Sequence, residues 1–312
     1  MGIAFQSIII VMLENSLRAD VMANPYMDRL RKKGVFLSNS QGITHSSQPN
    51  YIVSVAGDSF GLYNDTPGYV QWIYDNHGIY SKYPVTCIVD LLEAKGFTWR
   101  AYAEDLPDGY VDDAAQEFLT AQETYLKSNP SQPPTPAQLP VIPPDPEPFA
   151  RKHVPFLSFP NVITKAHRRA NIVNADQFEK DIQNGKLPNY SWYTPNLIND
   201  GHNAPTGGKG RDGDAAARIQ NIANFLETFL SDDPISKFPP ETLIVITFDE
   251  SYPYHDPYEI YTLLIGDMLQ AGTTNTQPSN HYSMLRSVEV NFGLGSLRRN
   301  DTSARPYWFL RE

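Results

Sequence analysis

The sequence predicts an α/β fold, a three-layer sandwich with a central, mainly parallel sheet. Short β-branched runs alternate with stretches of helical period, the pattern left by strands joined through crossover helices. The run Ser7 to Leu13 reads as a buried first strand. Polar clusters follow several strands, and in parallel α/β sheets ligands bind beyond the carboxyl ends of the strands.

The elements follow in order. After the first strand, Asn24 and Pro25 form an N-cap and N1 pair opening a helix to Lys33, which Gly34 stops. Val35 to Leu37 is a strand and Pro49 to Val55 a helix, with Pro49 in its first turn. Cys87 to Lys95 is a helix stopped by Gly96, and Thr98 to Tyr102 a strand. Ala175 to Asn184 and Asp214 to Leu230 are helices on either side of the strand Tyr190 to Tyr193. Strands Thr242 to Thr247 and Ile260 to Ile265 precede a last helix, Tyr282 to Phe292. From Pro130 to Pro148 there are nine prolines, which build no ladder, so 129–149 reads as a surface insertion within a single domain spanning 1–312.

Composition narrows the function classes. Hydrophobic residues make up 41% of the 312, enough for a large core without disulfides. Cys87 is the single cysteine, which excludes an internal disulfide and a cysteine-based zinc cluster. Asp and Glu number 35 against 25 Lys and Arg. That balance argues against a nucleic-acid binder, whose affinity rests on clustered basic residues. No run reaches the ~20 apolar residues of a membrane span. The first strand lacks the basic lead and small-residue cleavage site of a signal peptide, so a cytoplasmic location is expected, or a secreted one if the native N-terminus has been trimmed. Oligomeric state leaves no mark on the sequence.

The acids cluster after strands. Glu14 and Asn15 follow the first, Asp249 and Glu250 follow Thr242 to Phe248, and Asp200, Gly201 and His202 lie beyond Tyr190 to Tyr193. One acid after a strand is usually a turn or capping residue. Two adjacent acids and an acid-amide pair exceed what capping needs, and oxygen ligands of this kind suit a hard or borderline divalent cation. Ser46 and Ser47 precede the helix at Pro49, where free N–H groups favour an anion, with His45 beside them.

Taken together, these segments resemble the phosphoesterase family of acid phosphatases and bacterial phospholipases C, within the alkaline phosphatase superfamily. The resemblance rests on Val11 to Asn15, Ser47 to Tyr51 with Val55 to Gly57, Lys152 to Phe156, Tyr193 to Asn196 with Asn199 to His202, Ile246 to Glu250, and His281 to Glu289, in that order. It spans Ile8 to Leu294 and is closest to the short acid-phosphatase branch. It implies Ser47 as the nucleophile, with Ser46 and Thr44 as alternates, because related pyrophosphatases place theirs three residues before an Asn. It implies one divalent ion (Mg, Mn, Ca or Zn) on Glu14, Asn15, Asp249 and Glu250, with Ser47 closing the site. His202 and His153 are expected to act in catalysis as charged donors at mildly acid pH. Asn15, Asn50, His45, Lys152, Asp200 and His281 are candidates for the phosphate site, and His255 for a substrate lining. Two-metal relatives use a wider Asp and His spacing than Asp200 and His202 offer, which favours a single ion. The implied substrate is a small phosphate monoester cleaved through a phosphoseryl intermediate. The rival activities are a phosphodiesterase or phospholipase C on the same core, and an inert cation- or phospholigand-binding protein.

Overall fold

The computed structural model describes residues 4–65, 85–128, 146–204, 214–253 and 258–310. His255 and most of the proline-rich stretch lie outside them. The strands are β1 (Ser7–Leu13), β2 (Val35–Leu37), β3 (Ser40–Gln41), β4 (Trp99–Ala103), β5 (Ile172–Asn174), β6 (Tyr190–Thr194), β7 (Thr242–Phe248), β8 (Thr262–Ile265), β9 (Thr273–Asn275) and β10 (Ser279–Asn280). Eight of them form one sheet in the order β5-β4-β6-β1-β7-β8-β2-β9. Every pairing from β5 through β7 is parallel, so the expected sheet is present. Only β8 runs against its neighbours, β7 and β2. The connection from β7 to β8 carries the site acids and no described crossover helix, and without one the chain returns antiparallel.

The principal helices are α1 (Arg18–Ala23), α2 (Pro25–Leu30), α3 (Ser47–Ala56), α4 (Ile88–Ala94), α5 (Tyr110–Ser128), α6 (Asp176–Gln183), α7 (Ala215–Leu230) and α8 (His281–Phe292). Side chains alternate across a strand, and here they feed two separate cores. Ile8, Ile10 and Met12 of β1 join Val245 of β7, Tyr51, Ile52 and Val55 of α3, and Leu285 of α8. Ile9, Val11 and Leu13 join Ile246 of β7, Met27 of α2, Phe178 of α6, and Ile222 and Leu226 of α7. That is the three-layer sandwich. All seven residues of β1 and of β7 are buried, which places the strand ends carrying the acids at the middle of the sheet.

Sequence periodicity missed α1, α5 and the short strands β3, β5, β9 and β10, which only their partners define. It also placed the start of α3 too late. Ser47 is the first helical residue, so Pro49 is the third residue of the helix, two positions further in than the expected start but still in its first turn.

The rear of α3 is clamped from the C-terminal region. The chain leaves α3 at Gly57, with φ of 73°, and a Cβ there would lie 2.7 Å from Asp301 Oδ1. Asp301 shares the Leu297 amide with Glu289 of α8, at 2.7 and 3.3 Å. Burial, then the charge of Asp301, pushes the Glu289 carboxyl up to about 8, against the opposing pull of Arg286. A folded pKa above the unfolded value of about 4.3 favours the fold while the group is protonated; that contribution is lost as pH rises toward the folded value. Glu289→Gln removes the titration while keeping the shape. Its stability relative to the parent is expected to rise steadily between about pH 5 and about pH 8. Urea midpoints taken across that range check it, and a difference that stays flat contradicts the shared proton.

Candidate active site

β1 and β7 run side by side in register, Leu13 opposite Phe248, so the residues that follow them emerge together. Glu14, Asn15, Asp249 and Glu250 are all 0% exposed. The Asn15 amide N–H donates to Asp249 Oδ1 at 3.0 Å, and its side-chain Nδ2 donates to Glu14 Oε2. Asn15 adopts φ of 35°, a left-handed conformation that Asn tolerates better than most residues.

Ser47 enters from α3. Its hydroxyl donates to Glu14 Oε2 at 3.0 Å, and Asn15 Nδ2 lies 3.5 Å from its Oγ. Ser46, at the N-cap, has φ of 87°, a costly backbone for a non-glycine residue. Asn50 holds it there. Asn50 Oδ1 accepts from the N–H of Ile43 (2.9 Å) and Thr44 (3.3 Å), and Nδ2 donates to the carbonyls of Thr44 (2.9 Å) and Ser46 (3.2 Å). The Asn50 side chain, expected at the phosphate, is thus spent on the loop that presents Ser47.

The histidines divide into separate roles. His153 is fully buried, stacked on Tyr51 at 4.7 Å between ring centroids. Its Nδ1 lies 3.0 Å from Asp200 Oδ2 and its Nε2 lies 3.0 Å from Glu14 Oε1. Burial pushes its imidazole down to about 3 despite the pull of Glu14. Asp200 moves the other way: burial and then Glu14 raise it well above the carboxylate range. His202 keeps 18% of its side chain exposed, with Nδ1 3.2 Å from Glu14 Oε2 and its amide N–H donating to Asp200 Oδ1 at 2.7 Å. His281 lies behind the site, its Nε2 2.7 Å from the Asp249 carbonyl. Expected as a phosphate-site candidate, it is engaged here with the Asp249 segment. His45 pairs through Nδ1 with Glu250 Oε2 at 2.6 Å and packs on Tyr258.

Lys152 brings the positive charge. Burial depresses its ammonium, but Glu14 and Asp65 carry it above the usual lysine value. Its Nζ lies 2.9 Å from Asp65 Oδ2.

Whether these residues suit a divalent ion is decided by their unpartnered atoms. Asn15 Oδ1 and Asp249 Oδ2 are buried without a hydrogen bond, and Glu14 Oε1 has only the contact with His153 Nε2, beside the Ser47 hydroxyl. Burial, then Glu14 and Glu250, drives the Asp249 carboxyl far up, the response of a carboxylate lacking a compensating cation. These buried oxygens fit a hard or borderline dication. Among the described residues no three His, Cys, Asp or Glu side chains converge as a metal group on their own. The set that fits has two carboxylates, an amide and a hydroxyl. Glu250, expected as a fourth ligand, instead engages His45 and is not among the orphaned oxygens.

Sequence reasoning missed Arg218. This α7 residue is 2% exposed, and its Nη1 donates to the carbonyls of Asn15 (3.3 Å) and Gly201 (3.2 Å), tying the two loops that carry Glu14 and His202. Its one sequence signal is a charge facing the core in an apolar helix. Gly201 allows the close approach: it has φ of 87°, and a Cβ would fall 2.5 Å from Ile222 Cδ1.

The fold resembles solved members of the alkaline phosphatase superfamily. A protein of that superfamily from Vibrio parahaemolyticus superposes with a TM-score of 0.51 at 14% identity, over 96% of this chain and 70% of its own. A lipoteichoic acid synthase from Listeria monocytogenes gives 0.51 at 13% identity, over 93% and 74%. In sequence, residues 19–295 match the Phosphoesterase family, and the chain belongs to it. It is 32% identical to acid phosphatases of Aspergillus fumigatus and Aspergillus niger, over 97% and 99% of its length. It spans 58% and 64% of those two proteins. A phosphatidylinositol-3-phosphatase of Mycobacterium tuberculosis is 28% identical over 93% of this chain and 78% of its own.

Replacing Arg218 with methionine leaves two buried carbonyls without their donor. A loss of about 1–3 kcal/mol is expected, with faster hydrogen exchange at the Asn15 and His202 amides. Unchanged exchange at those amides would show that Arg218 does not hold the two loops.

Proposed function

We propose that this chain is a metal-dependent phosphomonoesterase of the acid-phosphatase type, acting as one α/β domain with the proline-rich stretch as an insertion. The observation that carries the reading is Ser47 at the start of α3, hydrogen-bonded to Glu14 and Asn15, which close the central strand. Glu14, Asn15, Asp249 and Ser47 would hold the ion. Once bound, it offsets the clustered negative charge and acidifies the Ser47 hydroxyl.

Ser47 Oγ attacks phosphorus, its proton directed at Glu14 Oε2, the acceptor already in contact. The bond from phosphorus to the leaving oxygen breaks as the bond to Oγ forms, giving a phosphoserine. Lys152, the Asn15 amide and the Ser47 N–H are placed to meet the equatorial oxygens, where charge concentrates. His202, at the open side, protonates the leaving alkoxide and then takes a proton from the water that attacks the phosphoserine; the bond from phosphorus to Oγ breaks, and Glu14 returns the proton to Ser47 Oγ. Asp200 aligns His202 through its backbone and His153 through its ring. No helix among the described residues is long and apolar enough to cross a membrane, and a soluble phosphate monoester is the substrate class.

Turnover of p-nitrophenyl phosphate is expected to exceed that of the bis-p-nitrophenyl diester. It should stop on chelation and return with one divalent cation per chain. Ser47→Ala should lose at least ~10³-fold with its melting temperature retained, and acid-quenched parent enzyme should carry phosphate on Ser47 by mass spectrometry. Full activity in metal-free protein, or label on Ser46, would defeat the mechanism as written.

A further inference from the structure

A resident carboxylate occupies the donors that a phosphoryl group on Ser47 would need. The first turn of α3 has few N–H groups to offer, because its third residue, Pro49, has none. Of the remaining donors, the Gln48 N–H belongs to the residue next to the nucleophile. In this structure it donates to Asp65 Oδ1 at 2.9 Å. The other oxygen of Asp65 accepts from Lys152 Nζ at 2.9 Å. One carboxylate thus bridges a helix N-terminus and the buried ammonium that faces Glu14, the arrangement an anion adopts at a helix start.

Asp65 differs from the other acids of the site. Glu14, Asp200 and Asp249 are sealed, each with no exposed surface. The Asp65 side chain is 36% exposed and lies at the rim. It is therefore the acid that can move aside without unpacking the core. Gln48 adds a second observation. Its side-chain amide is buried, and neither Nε2 nor Oε1 finds a partner, so this segment holds more hydrogen-bonding capacity than the resting structure uses.

We propose that Asp65 is an internal competitor for the phosphoryl group, sitting on the Gln48 N–H and Lys152 when the site is empty and displaced when phosphate binds. The inference rests on the phosphomonoesterase reading and deepens it. A phosphate dianion and the Asp65 carboxylate carry like charge and want the same two donors, so they exclude one another. The pair sets a ceiling on phosphate affinity. By returning to its donors, Asp65 opposes rebinding of the product. It makes no bond to the reacting atoms and is a specificity residue.

The test is calorimetric titration of the metal-loaded protein with inorganic phosphate and with orthovanadate at neutral pH. Asp65→Asn and Asp65→Ala are both expected to bind these anions more tightly, roughly tenfold, the size of one charge-assisted contact reduced for partial exposure. KM and the inhibition constant for phosphate should fall together, and kcat should fall where product release limits turnover. Adding Lys152→Met to Asp65→Ala should cancel the gain. Should the alanine variant fail to fold, the near-isosteric asparagine variant carries the test. Anion affinity that is unchanged or weaker in the folded variants overturns the proposal, and shows Asp65 serving only to hold Lys152 in place. A parent protein that binds neither anion and turns over no monoester would instead overturn the phosphomonoesterase reading.

Discussion

The arrangement depends on one electrostatic constraint: several carboxylates buried together at the carboxyl edge of the sheet's two central strands. Like charges at such separations cannot all remain ionised without compensation. Glu14 is held well below the usual carboxylate range, with His153 and His202 opposing the burial that would raise it. Asp200 and Asp249 are driven up instead. What surrounds the cluster answers this imbalance. Lys152 keeps its charge although largely enclosed, His45 meets Glu250, and the oxygens of Asn15 and Asp249 that find no hydrogen bond suit a cation.

Holding such a cluster requires stiff supports, because a small displacement of a reacting group costs much of its effect. The backbone is forced at three places, Asn15, Ser46 and Gly201, and each has a named restraint. Arg218 grips the carbonyls of Asn15 and Gly201, and Asn50 closes the loop before Ser47. Behind α3, Asp301 fits against Gly57, so the helix that carries Ser47 is fixed at both ends. Strain near the site is thus balanced by hydrogen bonds from elements distant in sequence.

Family membership and local geometry bear on different questions. Family membership rests on most of the chain, residues 19–295, whereas the arrangement at the strand ends is read from this structure alone. The pockets beyond them differ in character from the catalytic edge. One cavity near the ends of β4 and β6 is lined by Glu104, Asp105, Asp176 and Glu179. The oxygens of Glu104 are taken up by Tyr193, Asn196 and Asn199, so that acidic patch stabilises its own loops.

Strands Ser7–Leu13 and Val35–Leu37 were legible residue for residue, because a strand buried on both faces must be written in apolar residues. That Glu14, Asn15, Ser47, Asp200, His202 and Asp249 come together was legible, since paired polar residues directly after apolar parallel strands arrive at the same edge of the sheet. The partners of those residues were not. Nothing local distinguishes an Asn50 that binds phosphate from one that folds its own loop, or a His281 that meets substrate from one that donates to a carbonyl. Glu250 pairing with His45, the burial of His153 between Glu14 and Asp200, the grip of Arg218 and the bridge made by Asp65 are settled by residues far apart in the chain. The sequence by itself determined which groups arrive at the edge of the sheet, through the apolar runs that deliver them. Tertiary structure alone decided which are charged, paired or left open, because pKa and hydrogen bonding follow burial and neighbours, and these exist only once the chain has folded.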